Sequence, residues 1–101
     1  MKWSKKNNRL ELVLNFNSQT ELALLFLKIA QLADDANHHP DAEVINCSTL
    51  ILRLTTHDEG SITDKDYYLA NEIEKLIWQT SKKVAQIERP LESLYYNFTF
   101  S

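Results

Sequence analysis

Between Leu10 and Phe16 every second position is apolar (Leu10, Leu12, Leu14, Phe16), with Glu11 and Asn15 between them. That is the period of a half-buried strand, and Val13 is its one exception. Trp3 to Lys5 forms a short partner strand, with Lys6-Asn7-Asn8 as the turn of a hairpin. The period then changes. Ser18-Gln19-Thr20-Glu21 is a capping box, in which serine hydroxyl and glutamate carboxylate satisfy free backbone donors at a helix start. Leu22, Leu25, Phe26, Ile29, Leu32, Ala33 and Ala36 follow at spacings of three and four, which predicts a helix over 19–36 with one core-facing stripe. Pro40 disfavours helical geometry at His39, so the helix ends before His38-His39.

Glu43–Asn46 and Thr49–His57 read as two further strands. In the second, Leu50, Leu52, Leu54 and Thr56 share one face, and Ile51, Arg53, Thr55 and His57 share the other, more polar one. Asp58-Glu59-Gly60-Ser61 is a turn. Thr63-Asp64-Lys65-Asp66 caps a second helix in the manner of the first, and Leu69, Ile73, Leu76, Ile77, Val84 and Ile87 carry its stripe as far as Pro90. The closing stretch ends in Tyr95-Tyr96-Asn97-Phe98-Thr99-Phe100, where aromatic alternation fits a strand or extended segment lying over the domain, or a partner or ligand surface. The order strand, strand, helix, strand, strand, helix gives an α+β domain: a four-stranded antiparallel sheet with two long helices packed on one face.

Composition narrows the class. At 101 residues the chain is a single domain, long enough for one modest core. Its 44% apolar and 25% charged residues are those of a globular protein, and the longest apolar run, Leu22–Leu27, is far shorter than a membrane span. The basic start leads into Asn7, Asn8 and Arg9 rather than an apolar signal core, and the single Cys47 fits a reducing compartment, so a cytoplasmic location is expected. A net charge of -3 offers no footprint for nucleic acid. Lys2, Lys5, Lys6 and Arg9 read as a solvated arm. With one glycine, Gly60, in the whole chain, turns fall to Asn, Asp and Ser, and a phosphate-cradling loop is excluded.

The candidate chemistry lies in the three histidines, His38, His39 and His57. They are a pair at a helix end and a third at a strand end, positions from which side chains leave the core. A structural role is one reading. A metal site is poorly served, because adjacent histidines chelate one ion badly and no pair stands at helical ligand spacing. Acid–base chemistry is the third, since an imidazole both gives and takes a proton near neutral pH. Asp34, one helical turn before His38, and Asp66, at the opening of the helix after His57, are carboxylates able to hold the rings in a defined tautomer. No serine or cysteine has an adjacent base in sequence.

Taken together, Asp34, His38-His39-Pro40, the strand end Leu54-Thr55-Thr56-His57, then Ile62-Thr63-Asp64-Lys65-Asp66 and Leu69-Ala70, in this order and spacing, resemble the pterin-4a-carbinolamine dehydratase (dimerisation-cofactor) family over roughly residues 10–76. The resemblance implies the same sheet-and-helix fold and dehydration of a 4a-hydroxytetrahydropterin substrate to quinonoid dihydropterin, in tetrahydrobiopterin recycling, without metal or cofactor. It places His38, His39 and His57 at the pterin site with Asp34 and Asp66 in support, and it implies a homodimer or homotetramer. Loss of water then needs a proton delivered to the C4a hydroxyl, assigned to His38 and His57, and one removed from N5, assigned to His39.

Three departures from the family pattern accompany the match. Its first helix is missing before Trp3, and an extension over 79–101 is expected to cover the apolar surface that helix would cover. Cys47-Ser48 replaces the usual aromatic and asparagine, and Asp34 stands where many members have glutamate. A non-catalytic dimerisation or interaction module, or a site for another pterin-like ligand, is the alternative function.

Overall fold

The computed structural model describes residues 3–87. Its elements are β1 (Ser4–Lys6), β2 (Arg9–Asn15), α1 (Gln19–Ala36), β3 (Asp41–Ile45), β4 (Thr49–Leu54) and α2 (Asp64–Ile87). The strands form one antiparallel sheet in the order β1-β2-β4-β3, so the predicted α+β architecture is the observed one. At its centre Leu10, Leu12 and Leu14 of β2 stand opposite Leu54, Leu52 and Leu50 of β4. These six leucines are buried with Leu25 and Ile29 of α1 and Leu69, Ile73 and Ile77 of α2 in one core. Each fully buried leucine contributes roughly 1.5–3 kcal/mol. Strand alternation and helical stripe therefore meet face to face.

Asparagine makes the turns. Asn7 and Asn8 close the first hairpin with φ 53° and 61°, and Asn46 and Cys47 close the second with φ 52° and 60°. In the two-residue turn of the first hairpin, two successive left-handed residues match the twist of the strands they join; the second loop carries a third residue, Ser48, before Thr49 pairs with Ile45. Asn37, φ 52°, ends α1: its N–H donates to the Asp34 carbonyl, and the His38 N–H donates to the Ala33 carbonyl at 3.1 Å. This pair of bonds is a Schellman motif. It turns the chain sharply out of the helix immediately before the histidines.

Local details differ from the sequence reading. β1 covers Ser4–Lys6 and β2 Arg9–Asn15, one residue away from the predicted spans at the ends, and β3 starts two residues earlier, at Asp41. β4 stops at Leu54, so His57 is not on a strand. The cause is a tight return: the Thr56 N–H donates to the Ser61 carbonyl at 3.0 Å, and the Gly60 N–H, at φ 65°, donates to the Thr56 carbonyl at 2.9 Å. Ser18 caps α1 as predicted, while the Glu21 carboxylate takes the Asn17 N–H rather than that of Ser18. The predicted extension over 79–101 begins inside α2; the stretch from 88 onward, including Tyr95–Phe100, lies outside the described residues, as do the side chains of Val84 and Ile87.

Candidate active site

The site grows from the end of α1 and the start of α2. The Schellman turn brings His38 back over the domain, where its Nε2 lies 2.5 Å from Asp66 Oδ1. His38 is 13% exposed and Asp66 is fully buried. A buried carboxylate is tolerated only where its oxygens are supplied with donors, and Asp66 has three. The Thr63 N–H donates to Oδ2 at 2.9 Å and the Thr56 hydroxyl at 2.8 Å, beside the imidazole on Oδ1. Thr56 has one hydroxyl proton and spends it on Asp66. The 2.6 Å contact between Thr56 and Thr63 hydroxyls is therefore donated by Thr63.

Hydrogen bonds now run in one direction, from Thr63 through Thr56 to Asp66. Burial alone pushes the Asp66 carboxyl up, but the bonds from His38, the Thr63 amide and Thr56, together with the imidazole charge, hold it below its ordinary 3.8. An ionised Asp66 accepts only, so the proton lies on Nε2 of His38 and Nδ1 is left for other work.

The other two histidines are open to water. His39 Nε2 lies 2.8 Å from Asp34 Oδ1, with the histidine 56% exposed. His57, 71% exposed in the turn after β4, has Asp41 Oδ2 4.0 Å from its Nε2. All three rings line one open cleft of about 450 Å³, with Asp41, Thr56 and Lys65 on its walls. This volume lies within the range of small-molecule sites, roughly 300–1,000 Å³. Among the described residues no three His, Cys, Asp or Glu side chains stand close enough to hold a metal ion.

The structure thus brings the three sequence-predicted histidines together and redistributes the carboxylates. Asp66, placed in the sequence after His57, serves His38. Asp34, placed before His38, serves His39 from the exposed side of α1 and does not line the cleft. Two participants were missed. Asp41, next to Pro40, carried no signal beyond its position, whereas Thr56 was visible as a polar residue continuing a row of buried leucines. The predicted second capping box is half formed: Asp66 accepts from the Thr63 N–H, but the Thr63 hydroxyl turns to Thr56. Cys47 sits exposed in the β3–β4 turn and does not line the cleft.

The model of the family described as pterin 4 alpha carbinolamine dehydratase matches residues 1–76. A protein of Sulfolobus acidocaldarius, provisionally named pterin-4-alpha-carbinolamine dehydratase, is 38% identical over 74 residues, covering 73% of this chain and 80% of the relative. Its counterpart from Sulfurisphaera tokodaii, with the same provisional name, is 41% identical over 75 residues, covering 74% and 80%. Among solved structures, a transcriptional coactivator/pterin dehydratase from Brucella melitensis superposes with a TM-score of 0.66 at 21% identity, covering 73% of this chain and 80% of that one. A pterin dehydratase-like protein described as a RuBisCO assembly factor of the alpha-carboxysome superposes at 0.58 with 14% identity, covering 74% and 86%.

Proposed function

The chain belongs to the pterin-4-alpha-carbinolamine dehydratase family, and from this we propose that it dehydrates 4a-hydroxytetrahydropterin to quinonoid dihydropterin, in tetrahydrobiopterin recycling, by acid–base chemistry of His38, His39 and His57. The observation that carries the proposal is the convergence of the three rings on one cleft, with His38 held in a single tautomer by Asp66.

The reaction breaks the C4a–O bond and forms a C4a=N5 double bond. The hydroxyl leaves as water after gaining a proton, and N5 gives its proton to a base. His38 in its protonated form carries a proton on Nδ1, directed away from Asp66, to give to the hydroxyl; it ends as the neutral ring with Nε2–H still on the carboxylate. His57, open to water beside Asp41, assists the departing hydroxyl and resupplies that proton. His39, oriented by Asp34, takes the proton from N5 and returns it to solvent. One proton is given and one taken, so the histidine set closes its cycle without metal or cofactor. A positioned acid or base contributes about 10²–10⁴-fold in rate.

A second reading, a non-catalytic interaction module or a site for another pterin-like ligand, draws on the neighbour described as an assembly factor and on β3, an edge strand whose five residues are all exposed. The same edge suits assembly into a homodimer or homotetramer, and we place the protein in the cytoplasm. Among the described residues no helix is long and apolar enough to cross a membrane.

The deciding assay is the rate of 4a-hydroxytetrahydropterin dehydration by the purified protein beside a His38→Ala, His57→Ala double variant. Acceleration by the wild type alone supports the dehydratase. Two folded and silent proteins overturn it in favour of the second reading.

A further inference from the structure

Thr56 continues the buried row Leu50, Leu52 and Leu54 and is itself 6% exposed, a place where valine, of nearly the same shape, would bring no polar atom to satisfy. A hydroxyl buried there costs free energy unless it is bonded, and its backbone is pinned from both sides. The Thr56 N–H donates to the Ser61 carbonyl at 3.0 Å, and the Thr56 carbonyl accepts from the Glu59 and Gly60 N–H groups at 3.0 and 2.9 Å. The Thr63 carbonyl takes the Asp66 N–H at 3.0 Å. Both hydroxyls therefore stand on fixed backbone, and Thr56 reaches Asp66 Oδ2 while lining the histidine cleft.

The Asp66 carboxylate is shared between donors. Its charge is spread over two oxygens, so the Thr63 amide and Thr56 hydroxyl on Oδ2 reduce what Oδ1 offers to His38. An imidazolium facing a carboxylate with no other donors is held in its charged form and gives up its proton poorly. Facing a carboxylate already bonded twice on its other oxygen, the same ring is a stronger acid. His38 is 13% exposed, so little water intervenes to level the difference.

The geometry points to Thr56, backed by Thr63, as a positioning residue that sets the acid strength of His38: by donating to Oδ2 of Asp66 it keeps the carboxylate from holding the imidazolium proton too tightly. This rests on the reading of His38 as the acid that protonates the departing hydroxyl. Thr56 acts through Asp66, and the Thr63 hydroxyl acts one bond further back by polarising the Thr56 O–H. The other titratable and charged groups on the cleft, His39, Asp41, His57, Asp58 and Lys65, are the same whichever threonine is changed.

The test compares Thr56→Val, Thr56→Ser and Thr63→Val with the wild type in the full chain. The His38 ring, assigned by its loss in His38→Gln, is titrated by NMR without substrate, and the pH profile of kcat follows. Thr56→Val is expected to move the ring titration upward by about half to one pH unit, roughly a three- to tenfold change in protonation ratio at fixed pH. Thr63→Val moves it the same way by less, and Thr56→Ser, which keeps the hydroxyl, leaves it in place. The alkaline limb of kcat moves upward with the ring, and the plateau falls about two- to threefold with KM little changed, because the acid is weaker. A titration that stays put in Thr56→Val overturns the proposal, since the hydroxyl then only fills space. A downward move overturns it too, since the ring has then lost the carboxylate. If Thr56→Val does not fold, Thr63→Val decides by the same signs, because every bond to Asp66 remains in it. Ring titration is read without turnover. An upward shift in a protein that does not dehydrate upholds the tuning and overturns the dehydratase alone; dehydration with an unmoved ring does the reverse.

Discussion

Asp66 and His38, 28 positions apart in sequence, meet at 2.5 Å and tie the first turn of α2 to the residue that leaves α1. Because the Thr63 amide and Thr56 hydroxyl hold the other carboxylate oxygen, neither partner can rotate without leaving a buried polar group unpaired. His38 is presented to the cleft by packing on one side and by a directional set of hydrogen bonds on the other.

Replacing the carboxylate tests this arrangement directly. Asp66→Asn keeps the shape but replaces an acceptor-only carboxylate by a neutral amide whose nitrogen donates, so the charge-assisted bonds are lost and the nitrogen facing His38 Nε2 favours the other imidazole tautomer. The expected loss is roughly 1–3 kcal/mol of stability, measured by urea denaturation. In the dehydration assay kcat falls by about one to two orders of magnitude with KM little changed, because Asp66 positions an acid and does not touch the substrate. A change confined to KM would contradict that role.

Acid should find the same group. The folded-state carboxyl of Asp66 titrates below its ordinary 3.8, so its contribution to stability is fully present above that value and is lost as pH falls through the lower, folded one. The stability gap between the wild type and Asp66→Asn is therefore wide at pH 6 and narrows below about pH 4. Denaturation midpoints of both proteins across this range check the sign. A gap that widens in acid would mean that the bonds to Asp66 do not favour its charged form.

Cys47 adopts φ 60° in the β3–β4 turn, a conformation that costs a residue bearing Cβ about 1–2 kcal/mol and glycine nothing. The loop Asn46–Ser48 spans three residues between the paired Ile45 and Thr49, and glycine is the residue such loops favour at a left-handed position. After allowance for the greater freedom of glycine in the unfolded chain, thermal unfolding should show a gain of up to about 1 kcal/mol. Dehydratase activity is expected to be unchanged, since the residue does not line the cleft.

The core allows a simpler forecast. Leu52 is fully buried on a central strand opposite Leu12, so Leu52→Ala removes apolar burial and leaves a cavity. A loss of roughly 2–5 kcal/mol in urea denaturation is expected, toward the upper end if neighbouring side chains do not close in.

Where a single period dominates, the sequence was a sufficient guide. The stripe from Leu22 to Ala36 gave α1 its observed limits, and the alternating leucines of β2 and β4 named the buried face of the sheet. The hairpin turn at Asn7 and Asn8 was legible from its asparagines, whereas Asn46, read as the last residue of a strand, is the first of the β3–β4 turn, and the left-handed Asn37 that ends α1 was not foreseen. What the sequence hid was direction. Asp34 is near His38 along the chain, but the left-handed Asn37 swings His38 away from the outer face of α1, and Asp34 pairs with His39. Thr56 escaped for a related reason: it stands in line with three buried leucines, and only the fold shows that its hydroxyl meets the carboxylate of α2. His57 was misplaced on a strand because the return between Thr56 and Ser61 is a backbone event that no side-chain period records.

The polarity of the His38–Asp66 pair also agrees with the direction of both helices. Asp66 lies in the first turn of α2, where unpaired amides favour negative charge, and His38 stands just past the carbonyl end of α1, where positive charge is favoured. Exchanging the two residues would keep one acid and one base face to face yet set each against its own helix terminus and leave the Thr63 amide without a carboxylate. A cost of about 0.3–1 kcal/mol at each end follows from the dipoles alone. Which side of this contact carries which charge is thus written into chain direction, and a mirror version of the pair is not an equivalent solution for this backbone.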